Sequence, residues 1–298
     1  MEKKNQQKSR IQPGLTGTLL RLETIKALKP VLDYLLEKRG FDFSGYRPAM
    51  LERRIRQRLT ATSSADFSEY LSCLQRNADE LDHLIDVITI NVSRFFRDTL
   101  TFELIADRIL PAIILEKTRL QDDSLRIWSA GCAMGEEPYS LAILIHELLE
   151  KEKLAMNLHI FATDIDSRAL ADAEKAVYPL TSVEHMKHRL LTKYFTREGA
   201  SFRLIPEIKE LITFTPYDML DKKHSVPPES VFGSFDMVLC CNLLIYFNIT
   251  YQEAVFAKLY HSLAANGILI LGEAEAPTIM YQRHFNRVFD FSPIYRKS

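Results

Sequence analysis

Residues 127–145, IWSAGCAMGEEPYSLAILI, decide the fold. An apolar run enters a turn of small residues, two glutamates follow, and a second apolar run takes up helical spacing. The pattern predicts a strand LRIWSA, a turn GCAMG and a helix beginning near Glu137, where Pro138 is acceptable because a first helical turn needs no N–H from it. Gly131 and Gly135 bracket a turn where backbone must approach a ligand closely, and Ala133 stands where a G-x-G-x-G loop has its middle glycine. A glycine turn after a strand is weak evidence by itself. The residues behind it discriminate better, because a pyrophosphate at a helix N-terminus wants bare N–H groups and no nearby anion. Glu136 and Glu137 stand at that point, so a phosphate ligand is disfavoured and a ligand carrying an amino group or sulfonium is favoured. S-adenosylmethionine carries both. The same two glutamates also suit a helix N-terminus electrostatically, ligand or no ligand.

Outward from this stretch, short apolar runs alternate with helical patterns: PYSLAILIHELLEK, LHIFATDI, SRALADAEKAV, LITFTPY, FDMVLCC, TYQEAVFAKLYHSLA and GILILGEA. That alternation marks a doubly wound α/β sheet. LHIFATDID ends on Asp164 and Asp166, and an acid at the end of a second parallel strand is placed to grip a ribose diol. Asp166 or Ser167 suits the N-cap of the next helix better than Asp164 does, which makes Asp164 the better candidate for the ribose ligand. In PYDML, Asp218 and Met219 follow a strand and suit an adenine edge, although Asp218 equally suits a turn. FDMVLCCNLLIYF runs into Asn242 and Tyr246 at a strand's carboxyl end, where open α/β sheets bind ligands. Methyltransferases that act on DNA amines often carry an N-P-P-Y turn there; Leu243 and Leu244 replace those prolines, which suits an acceptor that is already ionised, such as a carboxylate. After GILILGEAEA the segment FNRVFDFSPIYRK follows without a crossover helix, so a final antiparallel hairpin is expected, as in Rossmann-like methyltransferases.

Residues 1–95 carry only helix signals, among them IKALKPVLDYLLEKRG and DFSEYLSCL, with Asp66 and Glu69 at capping-box spacing. The expected division is a helical domain over 1–95 and an α/β domain over 96–298. Net charge is -1, but residues 1–98 hold 17 basic against 13 acidic side chains, and most of the excess lies in YRPAMLERRIRQRL. There Arg53, Arg54, Arg56 and Arg58 interleave with apolar residues at helical spacing, giving one cationic face that suits an acidic partner or is simply solvated. The 298 residues are 47% apolar, enough for a full core. Four cysteines without framework spacing, a charged start and no long apolar run point to a reducing, cytoplasmic protein without membrane insertion. No nucleic-acid partner and no metal are expected; His185 and His188 share a helix face without the partner set typical of zinc.

DVITINVSRFFRDTLTF joins the two parts, and its NVSRFFRD resembles the N-x-[ST]-x-F-F-R signature of the CheR family, the chemotaxis receptor methyltransferases. WSAGCAMGEEPYS, FATDID, Tyr194-Phe195 followed by Arg197, and CNLLIYF resemble further family motifs in the same order, over nearly the whole chain. The resemblance implies a Rossmann-like S-adenosylmethionine-dependent methyltransferase domain with a small β-subdomain at about 190–214, after an all-α domain. It implies cofactor contacts from Asn91, Ser93, Arg97, Gly131, Glu137, Asp164, Asp218, Met219, Asn242 and Leu243, with Arg97 and Tyr246 at the reaction centre. Arg197 is implied on the substrate side, and is grouped with the arginines of the basic helix as substrate-binding. The implied reaction converts receptor glutamates into γ-glutamyl methyl esters and S-adenosylmethionine into S-adenosylhomocysteine, carried out by a monomer acting on cytoplasmic helices of methyl-accepting chemoreceptors. The chain departs from the pattern at Cys241, where many relatives have Arg, in GEAEA, which lacks a serine before its last glutamate, and in TREGASF, shorter than in enterobacterial relatives. In the family a small β-subdomain binds a tethering peptide at the receptor C-terminus, and members with a shorter loop generally do not use it. A methyltransferase for another acidic protein and a non-enzymatic cofactor-binding module are the competing readings.

Overall fold

The computed structural model describes residues 13–89, 93–230 and 233–298, with side chains from residue 26 onward. Residues 1–90 and 91–298 form two compact units. The first is all helix: α1 (Pro13–Arg39), α2 (Pro48–Ala61), α3 (Phe67–Arg76) and α4 (Ala78–Thr89). Apolar residues three or four apart make its core, with Leu51, Ile55 and Leu59 from α2 buried alongside Tyr70 and Leu74 of α3 and Leu81, Leu84, Ile85 and Ile88 of α4. Asp66 caps α3 by accepting from the N–H groups of Ser68 and Glu69, while the Glu69 carboxylate accepts from Ala65, one residue ahead of the cap itself. The break between units falls at 90/91, ahead of the sequence expectation of 95/96, for a packing reason. Phe95 is fully buried in the second unit, edge-on to Tyr178 and Phe195, and its N–H donates to the Ser182 carbonyl.

The second unit opens with α5 (Thr99–Leu104), a π-helical turn (Ile105–Ile109) and α6 (Leu110–Arg119). Strands and helices then alternate: β1 (Ser124–Ala130), α7 (Glu136–Glu152), β2 (Asn157–Asp164), α8 (Ser167–Lys175), β3 (Val177–Pro179), α9 (Leu180–Val183), α10 (His188–Tyr194), β4 (Phe195–Glu198), β5 (Ser201–Leu204), α11 (Pro206–Lys209), β6 (Ile212–Pro216), β7 (Phe235–Cys240), α12 (Ile249–Ser262), β8 (Leu263–Leu271), β9 (Phe285–Arg287) and β10 (Ile294–Lys297). The main sheet has the order β6-β2-β1-β7-β8-β10-β9. β6, β2, β1, β7 and β8 are parallel, and β10 runs antiparallel to both β8 and β9, closing the sheet with the expected hairpin. β1, buried from Ile127 to Ala130, lies between β2 and β7, so the direction of winding switches at its carboxyl end and opens a crevice there.

The small antiparallel sheet, order β3-β5-β4, occupies 177–204 instead of 190–214. Two features move it. Ala176 turns through a left-handed conformation (φ 53°) and feeds Val177–Pro179 into the sheet, and Ile212–Pro216, which the 190–214 span cuts into, pairs along β2 as the edge of the main sheet.

Candidate functional site

The connection from β1 to α7 needs three left-handed residues in five: Gly131 (φ 77°), Ala133 (φ 48°) and Gly135 (φ 89°). Gly135 has no room for a side chain, since an added Cβ would lie 3.0 Å from the Ala173 Cβ and 3.2 Å from Phe214 and Tyr139 ring atoms. At Gly131 an added Cβ would meet Leu243 at 3.0 Å, so the loop after β1 and the turn after β7 are in contact across the crevice.

Asp164 ties β2 to this loop. Its carboxylate accepts from Ala133 N–H at 2.9 Å and from Asp166 N–H at 3.0 Å, while the Thr163 carbonyl accepts from Gly131 and Cys132. Burial pushes its carboxyl above the usual range, against those backbone hydrogen bonds. Asp166 is the N-cap of α8, accepting from Arg168 and Ala169. The Asp164 carbonyl accepts from Tyr217 N–H, which brings the Asp218–Met219 segment to the same end of the sheet. Asp218 closes a turn by accepting from Leu220 N–H at 2.8 Å, and Met219 is buried.

The two glutamates at the start of α7 have different environments. Glu136 is fully buried and faces Ser182 and Ser93, with burial raising its carboxyl. Glu137 lies between the ends of β1 and β7: Ser129 Oγ donates to it at 2.7 Å and the Cys241 thiol faces it. Burial pushes it up to about 7, and the charges of Asp98 and Glu275 add to that rise. A carboxylate whose charged neighbours are anions favours a cationic ligand, and here the residues fit S-adenosylmethionine. Glu137 would face its ammonium or sulfonium, Asp164 its ribose diol, and buried Met219 an apolar ring.

The NVSRFFRD segment reaches this site through backbone. Phe96 adopts φ 53° and donates its N–H to Ser140 Oγ at 3.0 Å, and Ser140 donates to the Glu136 carbonyl on the same helix. Arg97 is exposed and acts electrostatically on Asp98, whose carboxyl is raised by burial and by Glu273. Asn91 lies outside the described residues.

Asn242, left-handed at φ 59°, begins the turn after β7, and a 3-10 turn carries Leu244–Tyr246. Sequence reasoning missed the group beneath it. Glu275, 6% exposed, accepts from the N–H groups of Asn242, Gly272 and Ile245 at 2.8, 2.9 and 3.1 Å. The signal was an acid a few residues past the last parallel strand, in GEAEA.

Two further sets of expected residues lie on β4 of the second unit and on α2 of the first. Arg197 lies on β4, with its Nε donating to the Gly199 carbonyl across the hairpin turn. On α2, Arg53 is exposed, Arg54 half-buried, and Arg56 pairs with Glu52 and lies over the Phe67 ring. Arg58 is corrected from the cationic face: it forms a two-point hydrogen bond with Glu80, 3% exposed, which also accepts from Tyr70. Reorienting it outward would strand a buried carboxylate. A groove of about 550 Å³ between α5, α7 and α10 is separate from the crevice, and its Lys187 and Lys193 are already paired with Glu103 and Glu147. Among the described residues no cluster of three or more metal-binding side chains occurs, and no helix is long and apolar enough to cross a membrane.

Residues 26–89 match the family described as CheR methyltransferase, all-alpha domain, and residues 91–290 match CheR methyltransferase, SAM binding domain. Chemotaxis protein methyltransferase 2 of Vibrio cholerae is 30% identical, covering 82% of this chain and 83% of its own. The chemotaxis protein methyltransferase of Salmonella typhimurium is 29% identical, over 90% and 91%. An uncharacterized 104.1 kDa protein of Rhodobacter capsulatus is 31% identical over 86% of this chain, which spans only 26% of that protein's length. With both domains matched in order and the crevice at the ends of β1, β2, β6 and β7 lined as described, the chain belongs to the CheR methyltransferase family.

Proposed function

We propose that the protein transfers a methyl group from S-adenosylmethionine to glutamate side chains of chemoreceptor cytoplasmic helices, giving glutamyl methyl esters and S-adenosylhomocysteine. The observation that carries the choice of acceptor is the state of the turn after β7. The Leu243 carbonyl accepts from Tyr246 N–H, and the Leu244 carbonyl accepts from Phe247 N–H and from Gln252 Nε2 at 2.9 Å. The Leu244 carbonyl, with both lone pairs taken, is poorly suited to accept an N–H bond from an amine, whereas a carboxylate needs no such acceptor. The names of the Vibrio and Salmonella relatives point to chemotaxis as the setting.

The bound cofactor supplies an electrophilic methyl on a sulfonium: the carboxylate oxygen forms the new bond to carbon as the carbon–sulfur bond breaks and its electron pair returns to sulfur. A glutamate of ordinary pKa, about 4.3, is already the nucleophile at neutral pH, so no protein base is required. The protein's work is positioning, which contributes up to roughly 7 to 11 kcal/mol in well-oriented systems. Tyr246 and Arg97 are assigned to orient the incoming carboxylate, Asp164, Asp218, Met219, Asn242 and Leu243 to hold the nucleoside side, and Glu137 with Ser93 the amino-acid side. Arg53, Arg54 and Arg56 of α2, with Arg197 of β4, are assigned to the acidic receptor surface. The test is incubation with methyl-labelled cofactor and receptor-containing membranes. Label on receptor that mild base releases as methanol is expected; base-stable label would point to a nitrogen acceptor and overturn the reading.

A further inference from the structure

We infer that Glu275 is a positioning residue: an anionic clamp that holds the Asn242–Tyr246 turn in its binding conformation and so sets cofactor affinity from behind the site. Its function rests on the cofactor assignment of the matched domain and not on the identity of the methyl acceptor.

The geometry is unusual for a buried acid. Glu275 is neutralised by no cation among its described partners; its hydrogen bonds come from backbone. Oε2 receives Asn242 N–H at 2.8 Å and Gly272 N–H at 2.9 Å, Oε1 receives Ile245 N–H at 3.1 Å, and the backbone of Leu244 contributes as well. Both oxygens are therefore acceptors, and the donors come from two different segments, the turn after β7 and the end of β8. Glu275 is held in place by its own N–H donating to the Gly272 carbonyl at 2.9 Å.

The turn needs this support because its conformation directs backbone N–H groups into the protein interior. Asn242 sits at φ 59°, a conformation that only a few residue types other than glycine adopt readily, Asn among them. Successive N–H groups pointing the same way into the protein require an anion or an acceptor inside them. Space is also tight, since a Cβ at Gly272 would lie 2.7 Å from Asn242 Nδ2, 2.8 Å from Asn242 N and 2.9 Å from Glu275 Oε2. Leu243, next in the turn, packs over Gly131 in the loop after β1. A shift of the turn is thereby a shift of one wall of the crevice.

The decisive variant is Glu275→Gln. It preserves volume, but one of its two terminal atoms is an N–H₂ donor, so it cannot accept on both sides; either Ile245 N–H or the Asn242 and Gly272 pair must face a donor. Calorimetry with S-adenosylmethionine and with S-adenosylhomocysteine, without any methyl acceptor, should show both affinities lowered at least tenfold in a protein with unchanged far-ultraviolet dichroism, while Lys297→Ala, which removes two hydrogen bonds to the Tyr260 and Leu263 carbonyls at the other end of β8, serves as the comparison for nonspecific loosening. Amide exchange at Asn242 and Ile245 should accelerate in Glu275→Gln relative to the β1 and β2 amides. Affinities within twofold of the parent in a folded variant would overturn the assignment. If Glu275→Gln fails to fold, exchange is followed in the parent protein as pH falls: loss of protection at Asn242, Ile245 and Gly272 ahead of the sheet supports the clamp, and loss in step with the sheet overturns it. Because both readouts omit the receptor, a wrong methyl acceptor would leave them unchanged.

Discussion

Asp164 serves two partners at once, and its substitution should report on both. Ala133, Asp166 and Ile165 N–H groups hold its carboxylate in place, and its two oxygens retain lone-pair capacity for a diol. Charge-assisted bonds contribute about 1.5 to 3 kcal/mol each, so Asp164→Ala should weaken S-adenosylmethionine at least tenfold by calorimetry and also lower the unfolding midpoint. Unchanged affinity in a folded variant would remove Asp164 from the site. Glu137 gives a second residue-level expectation. Its carboxyl, pushed up to about 7 by burial and by Asp98 and Glu275, is largely neutral in mildly acidic solution. A cationic ligand favours the ionised form, so cofactor affinity should rise as pH passes upward through about 7, and Glu137→Gln should flatten that rise. The stability linkage has the opposite direction. A carboxyl raised in the folded state contributes stability below its unfolded pKa, and that contribution is lost as pH climbs through the folded value, so the unliganded protein should lose this increment toward neutrality while the thermal shift caused by the cofactor grows. The place of Asp164 at the end of β2 was legible because the apolar run of a parallel strand stops there. Glu275 was not, because its donors are backbone groups of a turn some thirty residues away, and backbone direction leaves no residue-type signature.

Helix α2 shows what a charge pattern in sequence can and cannot say. The spacing of Leu51, Ile55 and Leu59 gives the buried stripe directly, but the arginines between them divide according to what α4 places opposite. Arg58 meets Glu80, where burial works against the ionised carboxyl and the Arg58 and Tyr70 hydrogen bonds prevail, holding it below the usual range. Arg58→Glu should therefore act on folding, at a cost of about 3 to 5 kcal/mol in denaturant unfolding, because two anions would be left without compensation. Arg53 and Arg56 are the positions for testing docking. Arg56 loses little when removed from Glu52, an exposed pair worth well under 1 kcal/mol. The double change Arg53→Glu with Arg56→Glu should raise the KM for receptor several-fold and weaken its salt dependence, leaving cofactor affinity unchanged. Equal kinetics would reduce that face to a solvated surface. The opposite limit appears in α7, where Glu136 and Glu137 are adjacent and of one type, yet the helical rotation of about 100° between neighbours sends one to Ser182 and the other to Ser129.

At the scale of the molecule, the alternation of strands and helices was enough for the parallel sheet and its closing hairpin, because each crossover length admits few connections. The small sheet was placed less well: β3 is three residues long and β5 four, too short for a period to declare itself. Its final form bears on how the enzyme meets its substrate. β4 and β5 are joined by a two-residue turn, with Gly199 at φ 62° and Glu198 paired with Ser201. The Glu198–Arg203 ion pair lies across this hairpin, and Arg197 is turned onto Gly199. A hairpin this short offers a brief edge, and Arg203 is engaged within it, which fits the expectation from the family resemblance that a protein with a shorter loop here uses no receptor-terminal peptide. A tether raises the effective concentration of enzyme at its substrate into the millimolar range, so a protein without one must obtain residence from direct contact with receptor helices. The expectation is equal methylation rates for receptors with and without a C-terminal pentapeptide. Titrating the immobilised pentapeptide against the protein is the direct measurement: micromolar binding would refute the expectation, and a flat titration, combined with the KM shift on reversing Arg53 and Arg56, would assign docking to α2.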